Sequence, residues 1–193
     1  MTYPPAPWNL KGYAVQTLQL VDIEKASKFI PSELEIVSLL PGKTLGSIYI
    51  SCYESGSLLT YNELIVAPGL VRYQGKFGGW ISHIYVDNPD SVAGGREIWG
   101  LPKEMADFSW NNDSVSVSQN NCELCSLSYQ KGFLNLSTWW QQQLSTGCFG
   151  ALGSELLFFD NQFKTQVALL EGKLEIPQHS PFASLKLDKP LFT

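Results

Sequence analysis

The chain has 193 residues, 44% hydrophobic and only 16% charged, which suits a single packed core and excludes a disordered segment. Thirteen Lys and Arg against eighteen Asp and Glu give a net charge of -5. Arg72 and Arg96 are the only arginines and no basic run tracks phosphates, so nucleic-acid binding is not expected.

The start, Met1-Thr2-Tyr3-Pro4-Pro5, lacks the charged-then-apolar pattern of a signal peptide. No apolar run approaches the ~18 residues of a membrane-spanning helix. The expectation is one soluble cytoplasmic domain over residues 1–193.

In chain order, residues 22–30 read as a short helix. Asp22 is a candidate N-cap, Ile23, Ala26, Phe29 and Ile30 share one face, and Pro31 is the stop. Residues 48–53 alternate Ile48, Ile50 and Cys52 with Tyr49, Ser51 and Tyr53, the period-two pattern of a half-buried strand. A second apolar segment, 58–66, stops at Ala67-Pro68-Gly69. A third, 80–86, ends in the turn sequence Asp87-Asn88-Pro89-Asp90.

A second short helix starts at Asp90 or Ser91 and ends near Gly100. Gly94 and Gly95 inside it each cost about 1 kcal/mol of helix stability, which predicts close packing against their backbone. Short strands follow at 114–118, 124–129, 133–138, 167–170 and 173–176, with turns at Asn120-Asn121, Lys131-Gly132 and Gly172. Residues 139–144 read as a third short helix. Repeated short strands and tight turns predict a mainly β (α+β) fold, an antiparallel sheet closed into a barrel or paired as a sandwich, with few helices.

Cys122 and Cys125 form a CxxC with no second pair and no nearby histidine, so no metal site is expected. In a strand the two thiols point to opposite faces, which argues against a redox pair as well.

The chemistry concentrates in Gly95-Arg96-Glu97-Ile98-Trp99-Gly100-Leu101-Pro102-Lys103-Glu104. A short helix, then Gly and Pro, delivers one lysine onto an extended segment, because Pro102 restricts Leu101 to extended geometry. Taken by itself, a lysine between Pro and Glu is an ordinary surface residue. Gly-Arg-Glu followed by an apolar pair and Pro-Lys, however, resembles the signature of the acetoacetate decarboxylase family. The resemblance extends to residues 21–36, to Ile84-Tyr85-Val86-Asp87-Asn88 and to residues 173–190, most of the chain.

The resemblance implies a closed or cone-like β-barrel and a lysine, Lys103, that forms a Schiff base with the ketone of a β-keto acid. The protonated imine then accepts the electrons released as carbon dioxide leaves, so no cofactor is implied. The attacking amine must be neutral, yet with an ordinary pKa of ~10.4 only about one lysine in 2,500 is neutral at pH 7. A desolvating pocket or a nearby cation overcomes this, the known device of acetoacetate decarboxylase itself.

Glu63, in Thr60-Tyr61-Asn62-Glu63, resembles the family's Tyr-x-Glu and is the second candidate catalytic residue. A glutamate in the apolar stretch 61–66 is costly to bury unpaired, so its alternatives are a solvent face or an ion pair. Arg96 and Glu97 occupy signature positions, with Arg96 a candidate for holding a carboxylate. Trp99 is a candidate pocket wall, Lys11 a candidate substrate-binding cation, and His179 a candidate proton carrier.

Three departures from the family pattern bear on substrate. Glu104 stands where the founding enzyme has a second lysine, and a nearby carboxylate would stabilise the ammonium, the wrong direction, unless alternation turns it away. The stretch 7–13, where an active-site arginine is expected, has only Lys11 as a base. Residues 44–52 lack the acid the family carries there.

The leading expectation is therefore a carboxy-lyase acting on acetoacetate or a related β-keto acid. The alternatives are another lysine-imine lyase of aldolase or dehydratase type, or a non-catalytic small-molecule-binding barrel. The expected partner is a small keto-acid or carbonyl substrate, with self-association into a homo-oligomer and no nucleic acid or membrane.

Overall fold

The computed structural model of the chain describes residues 3–131 and 142–193. The first half runs β1 (Gly12–Asp22), α1 (Ile23–Ala26), β2 (Glu35–Ile36), β3 (Lys43–Tyr53), β4 (Tyr61–Ala67), β5 (Leu70–Tyr73), β6 (Lys76–Trp80) and β7 (His83–Val86). Then come α2 (Pro89–Trp99), β8 (Lys103–Met105), β9 (Asp107–Asn111), β10 (Ser114–Gln119), β11 (Cys122–Lys131), β12 (Gln142–Leu152), β13 (Glu155–Thr165) and β14 (Leu170–Glu175). The protein is mostly β with few helices, as composition and alternation predict. No described helix is long and apolar enough to cross a membrane.

The strands form three sheets, ordered β1-β3-β4-β7-β8, β14-β11-β10-β9 and β13-β12-β6-β5-β2. Pairing is antiparallel except for β7 with β8 and β6 with β12. The expected barrel does not form, since no sheet among the described residues closes on itself. The three-residue β8 ends the first sheet; buried Ala106 then donates its N–H to the Val86 carbonyl, and β9 opens the second. At the far edge, β1 is joined to the C-terminal segment by the bridge of Leu18 with Phe192.

Register in the first sheet decides which residues can act together. One row across it reads Ala14, Ser51, Glu63, Val86, and the next reads Gln16, Tyr49, Ile65, Ile84, Lys103. Glu63 and Lys103 therefore rise from one face. The other face carries Val15, Ile50, Leu64 and Tyr85, with Ile48 and Val66 beside them, and packs into the main core with Phe182, Leu185 and Leu187. A smaller apolar cluster of Ile81, Ile84 and Leu101, joined by Ile65, Trp99 and Cys148, sits on the lysine-bearing side.

Several expectations change. The segment 22–30 is one α-turn, α1, with looser turns after it, and Asp22 pairs with Lys25 (2.9 Å) and Lys43 (2.5 Å) instead of capping. Residues 80–86 divide between β6 and β7, which lie in different sheets. Residues 167–176 give one strand, β14, in which Gly172 is no turn but a close approach: a Cβ there would fall 2.5 Å from the Thr193 side chain. The β12–β13 hairpin was not anticipated, and Gln142–Leu144 begin β12 where a helix was expected. The strand expected at 133–138 lies outside the described residues. The turn at Asn120-Asn121 holds, both residues having positive φ (51° and 63°), the twist a tight hairpin needs. Cys122 is exposed and Cys125 buried, but the expected alternation does not hold between them: the register shifts at Val117/Ser118, so they oppose Gln119 and Val117, which lie on one face of β10.

Candidate active site

Helix α2 aims the lysine. Asn88 caps it, its Oδ1 accepting from the backbone N–H groups of Asp90 (2.9 Å) and Ser91 (3.2 Å), and Pro89 occupies the first turn. Gly100 ends it in the left-handed conformation (φ 61°), and Leu101 N–H returns to the Gly95 carbonyl. The chain then passes Pro102 and enters β8 at Lys103. Gly95 is required: a Cβ there would lie 2.6 Å from Lys103 Cε, so the side chain runs directly over the helix backbone. Gly94 similarly admits the Trp8 ring, whose Cζ2 would stand 2.5 Å from an added Cβ. The adjacent glycines thus do provide close packing.

Lys103 is 2% exposed and Glu63 5%; no other charged side chain among the described residues is buried. Lys103 Nζ donates to Glu63 Oε1 at 2.7 Å and to Ser91 Oγ at 2.9 Å. Its remaining side faces the Tyr61 ring, 5.0 Å from the centroid, and the Trp8 ring at 5.7 Å, both within cation–π range. Tyr53 OH donates to Glu63 Oε2 at 3.4 Å, and the rings of Tyr53 and Tyr61 pack 4.9 Å apart.

Burial, reinforced by the Glu63 charge, pushes the phenols of Tyr53 and Tyr61 well above their usual range, and that of Tyr49 upward, opposed by its bond to Tyr53. Burial also raises the Cys148 thiol to about 11; its bond from Asn161 opposes this, while Glu63 and Asp160 add to it. At neutral pH the pair is therefore surrounded by protonated, uncharged groups able to donate hydrogen bonds.

The other expected site residues fall out differently. Arg96 is exposed, and its Nε donates to the Lys103 carbonyl at 2.8 Å, so it grips the lysine's backbone. Glu97 accepts from Tyr3 at the surface. Trp99 meets Trp8 edge to face with centroids 4.8 Å apart, backing the ring that covers the amine. Lys11 is exposed, and its backbone bonds Ser57 and Glu54. His179 bonds the Glu123 carbonyl at 2.9 Å, on the sheet away from Lys103. Glu104 turns to the opposite face from Lys103, as alternation requires, where it pairs across from Tyr85, stays exposed and accepts from Gln119 at 2.9 Å.

Ser91, Tyr53, Tyr61 and Trp8 were missed. Two of them were open to inference: Tyr61 lies two residues before Glu63 on a strand, and Ser91 four before Gly95 on a helix. Two surface grooves lie along the C-terminal segment, and neither is lined by Lys103 or Glu63. The site is marked by its buried charge pair.

A family model described as acetoacetate decarboxylase matches residues 1–146. The chain belongs to that family. It is 35% identical over 107 residues to protein NEOXANTHIN-DEFICIENT 1 of Solanum lycopersicum, covering 55% of this chain and 36% of that protein. It is 47% identical over 107 residues to acetoacetate decarboxylase of Burkholderia vietnamiensis, covering 54% and 41%. The matches thus span about two fifths of these relatives' length.

Among solved structures, acetoacetate decarboxylase from Legionella pneumophila superposes with a TM-score of 0.70 at 20% identity, covering all of this chain and 83% of that one. The enduracididine biosynthesis enzyme MppR, complexed with pyruvate, gives 0.71 at 15% identity, covering 99% and 84%. At these identities the likeness establishes the acetoacetate decarboxylase-like fold. It leaves the chemistry to the site.

Proposed function

We propose that the chain is a Schiff-base-forming enzyme in which Lys103 attacks the carbonyl of a small substrate and Glu63 manages its protons. The supporting observation is the 2.7 Å contact between two buried groups of opposite charge, one a nucleophile and the other a base. Glu63 takes a proton from the ammonium, and the freed amine adds to the carbonyl carbon. The carbinolamine loses water, leaving a protonated imine that stores the electron pair of whichever bond then breaks. With a β-keto acid that bond joins the carboxylate to the chain, carbon dioxide departs, and the enamine is reprotonated on carbon. The imine is itself the electron sink, so this reading calls on no cofactor.

One observation favours a second reading, in which the same imine serves an aldol or dehydration reaction. Among the described residues Lys103 is the only buried lysine or arginine, and Arg96 is occupied with its backbone, so neither supplies a separate cation for a substrate carboxylate.

Borohydride trapping with a panel of keto acids, ketones and aldehydes, followed by peptide mapping, tests the proposal. A reduced adduct on Lys103 supports imine chemistry, and carbon dioxide release selects decarboxylation. If nothing traps and Lys103→Ala changes no activity, the protein is not an imine enzyme.

A further inference from the structure

We infer that Ser91 is a further catalytic residue beside the Lys103 amine, accepting from its ammonium and returning a proton to the substrate oxygen as the imine forms. This inference rests on the imine reading above. Ser91 is fully buried, and its Oγ lies 2.9 Å from Nζ. Its place is fixed twice, by helix α2 and by the bond from its N–H to Asn88 Oδ1. The Tyr61 ring packs against the same amine, its centroid 5.0 Å from Nζ. Lys103 Nζ thus sits between Ser91 Oγ, Glu63 Oε1 and the Tyr61 ring.

The chemistry needs a second proton handler. An ammonium with bonds to Glu63 and Ser91 has two acceptors but gives only one proton away before attack. Glu63, a carboxylate, takes that proton. After attack the carbonyl oxygen must gain two protons to leave as water, while nitrogen must lose one as the double bond forms. A hydroxyl bonded to Nζ can accept from nitrogen and donate to oxygen in the same event, with its own protonation unchanged. The groups facing the amine are Glu63 and Tyr61 on β4, Tyr53 and Tyr49 on β3, Cys148 on β12, and Arg96, on α2, which touches only the lysine carbonyl. Glu63 is the one anion among those named.

The test is the reaction of the full chain with pentane-2,4-dione, followed from pH 6 to 11. Its product with a neutral lysine is an enaminone that absorbs in the near ultraviolet, formed with loss of water and without reductant. Ser91→Ala removes only an oxygen and keeps a good helix former, so a matching melting curve checks the fold. Losing one acceptor should move the half-maximal pH down by about 0.5–1 unit. Losing the relay should lower the plateau rate at least ~10-fold. If the midpoint stays put, whatever happens to the plateau, Ser91 is only structural; an unchanged plateau removes the relay. If wild type forms no enaminone at Lys103, the imine reading itself fails, and this inference with it.

Discussion

Changing Glu63 to Gln leaves the Lys103 ammonium, 2% exposed, without its anion. Breaking a buried ion pair from one side costs about 3–5 kcal/mol. There is a ceiling on that cost, because the ammonium can release its proton instead. For a lysine of ordinary pKa ~10.4, neutralisation at pH 7 costs 3.4 units, about 4–5 kcal/mol. At this chain length each kcal/mol moves Tm by about 2–4 °C, so E63Q should melt roughly 10 °C below wild type at pH 7.

The pH dependence carries a definite sign. If E63Q buries a neutral lysine, its unfolded state binds more protons than its native state below about pH 10.4. Stability then rises with pH, and the deficit relative to wild type narrows by up to about 1.4 kcal/mol per unit from pH 7 to 9. The double variant E63Q/K103M removes both charges and should recover most of the loss, since apolar replacement of a buried pair is often neutral. Urea denaturation of the four proteins at pH 7, 8 and 9 gives the double-mutant cycle. Additive single effects, with a coupling below about 1 kcal/mol, would refute the buried pair.

Three further changes probe its surroundings. Gly95→Ala should gain helix propensity of about 1 kcal/mol yet cut pentane-2,4-dione reactivity at least ~10-fold, because the new methyl occupies the path of the Lys103 side chain; unchanged reactivity would mean the lysine takes another route. Glu104→Gln should leave that rate within about twofold, since the carboxylate points away and bonds Gln119; a larger change would place its charge near the amine. Burial lowers the His83 pKa, with Glu104 opposing, so the unfolded state takes the proton first as pH falls through ~6.5. Melting temperature should therefore drop from pH 7.5 to 5.5 in wild type and less in His83→Gln, and parallel profiles would exclude His83.

What could be read in advance was local. Alternation in β3, the glycine pair in α2, the Asn-Asn turn and the extended segment after Pro102 each depend on neighbours a few residues away, and each holds. What escaped depends on pairing between distant segments. Tyr53 faces Tyr61 only because β3 and β4 pair in one register, and Trp8 reaches the amine only because Gly94 lets it approach α2. The β12–β13 hairpin carries too little alternation to announce itself, since Gly147 and Gly150 meet other backbones and many of its residues stay half exposed. The barrel failed for the same reason: closure depends on edges, and Ala106 passes the chain from β8 to β9 in another sheet.

The departure at Glu104 shows how the two scales combine. Alternation alone turns Glu104 away from Lys103, to the face it shares with Tyr85. It cannot say which group answers the charge on the amine. That group is Glu63, forty positions earlier, brought within 2.7 Å by the ladder from β4 through β7 to β8. The proton balance of the lysine is therefore a property of strand register, and a one-residue slip in β4 would turn Glu63 into the opposite face.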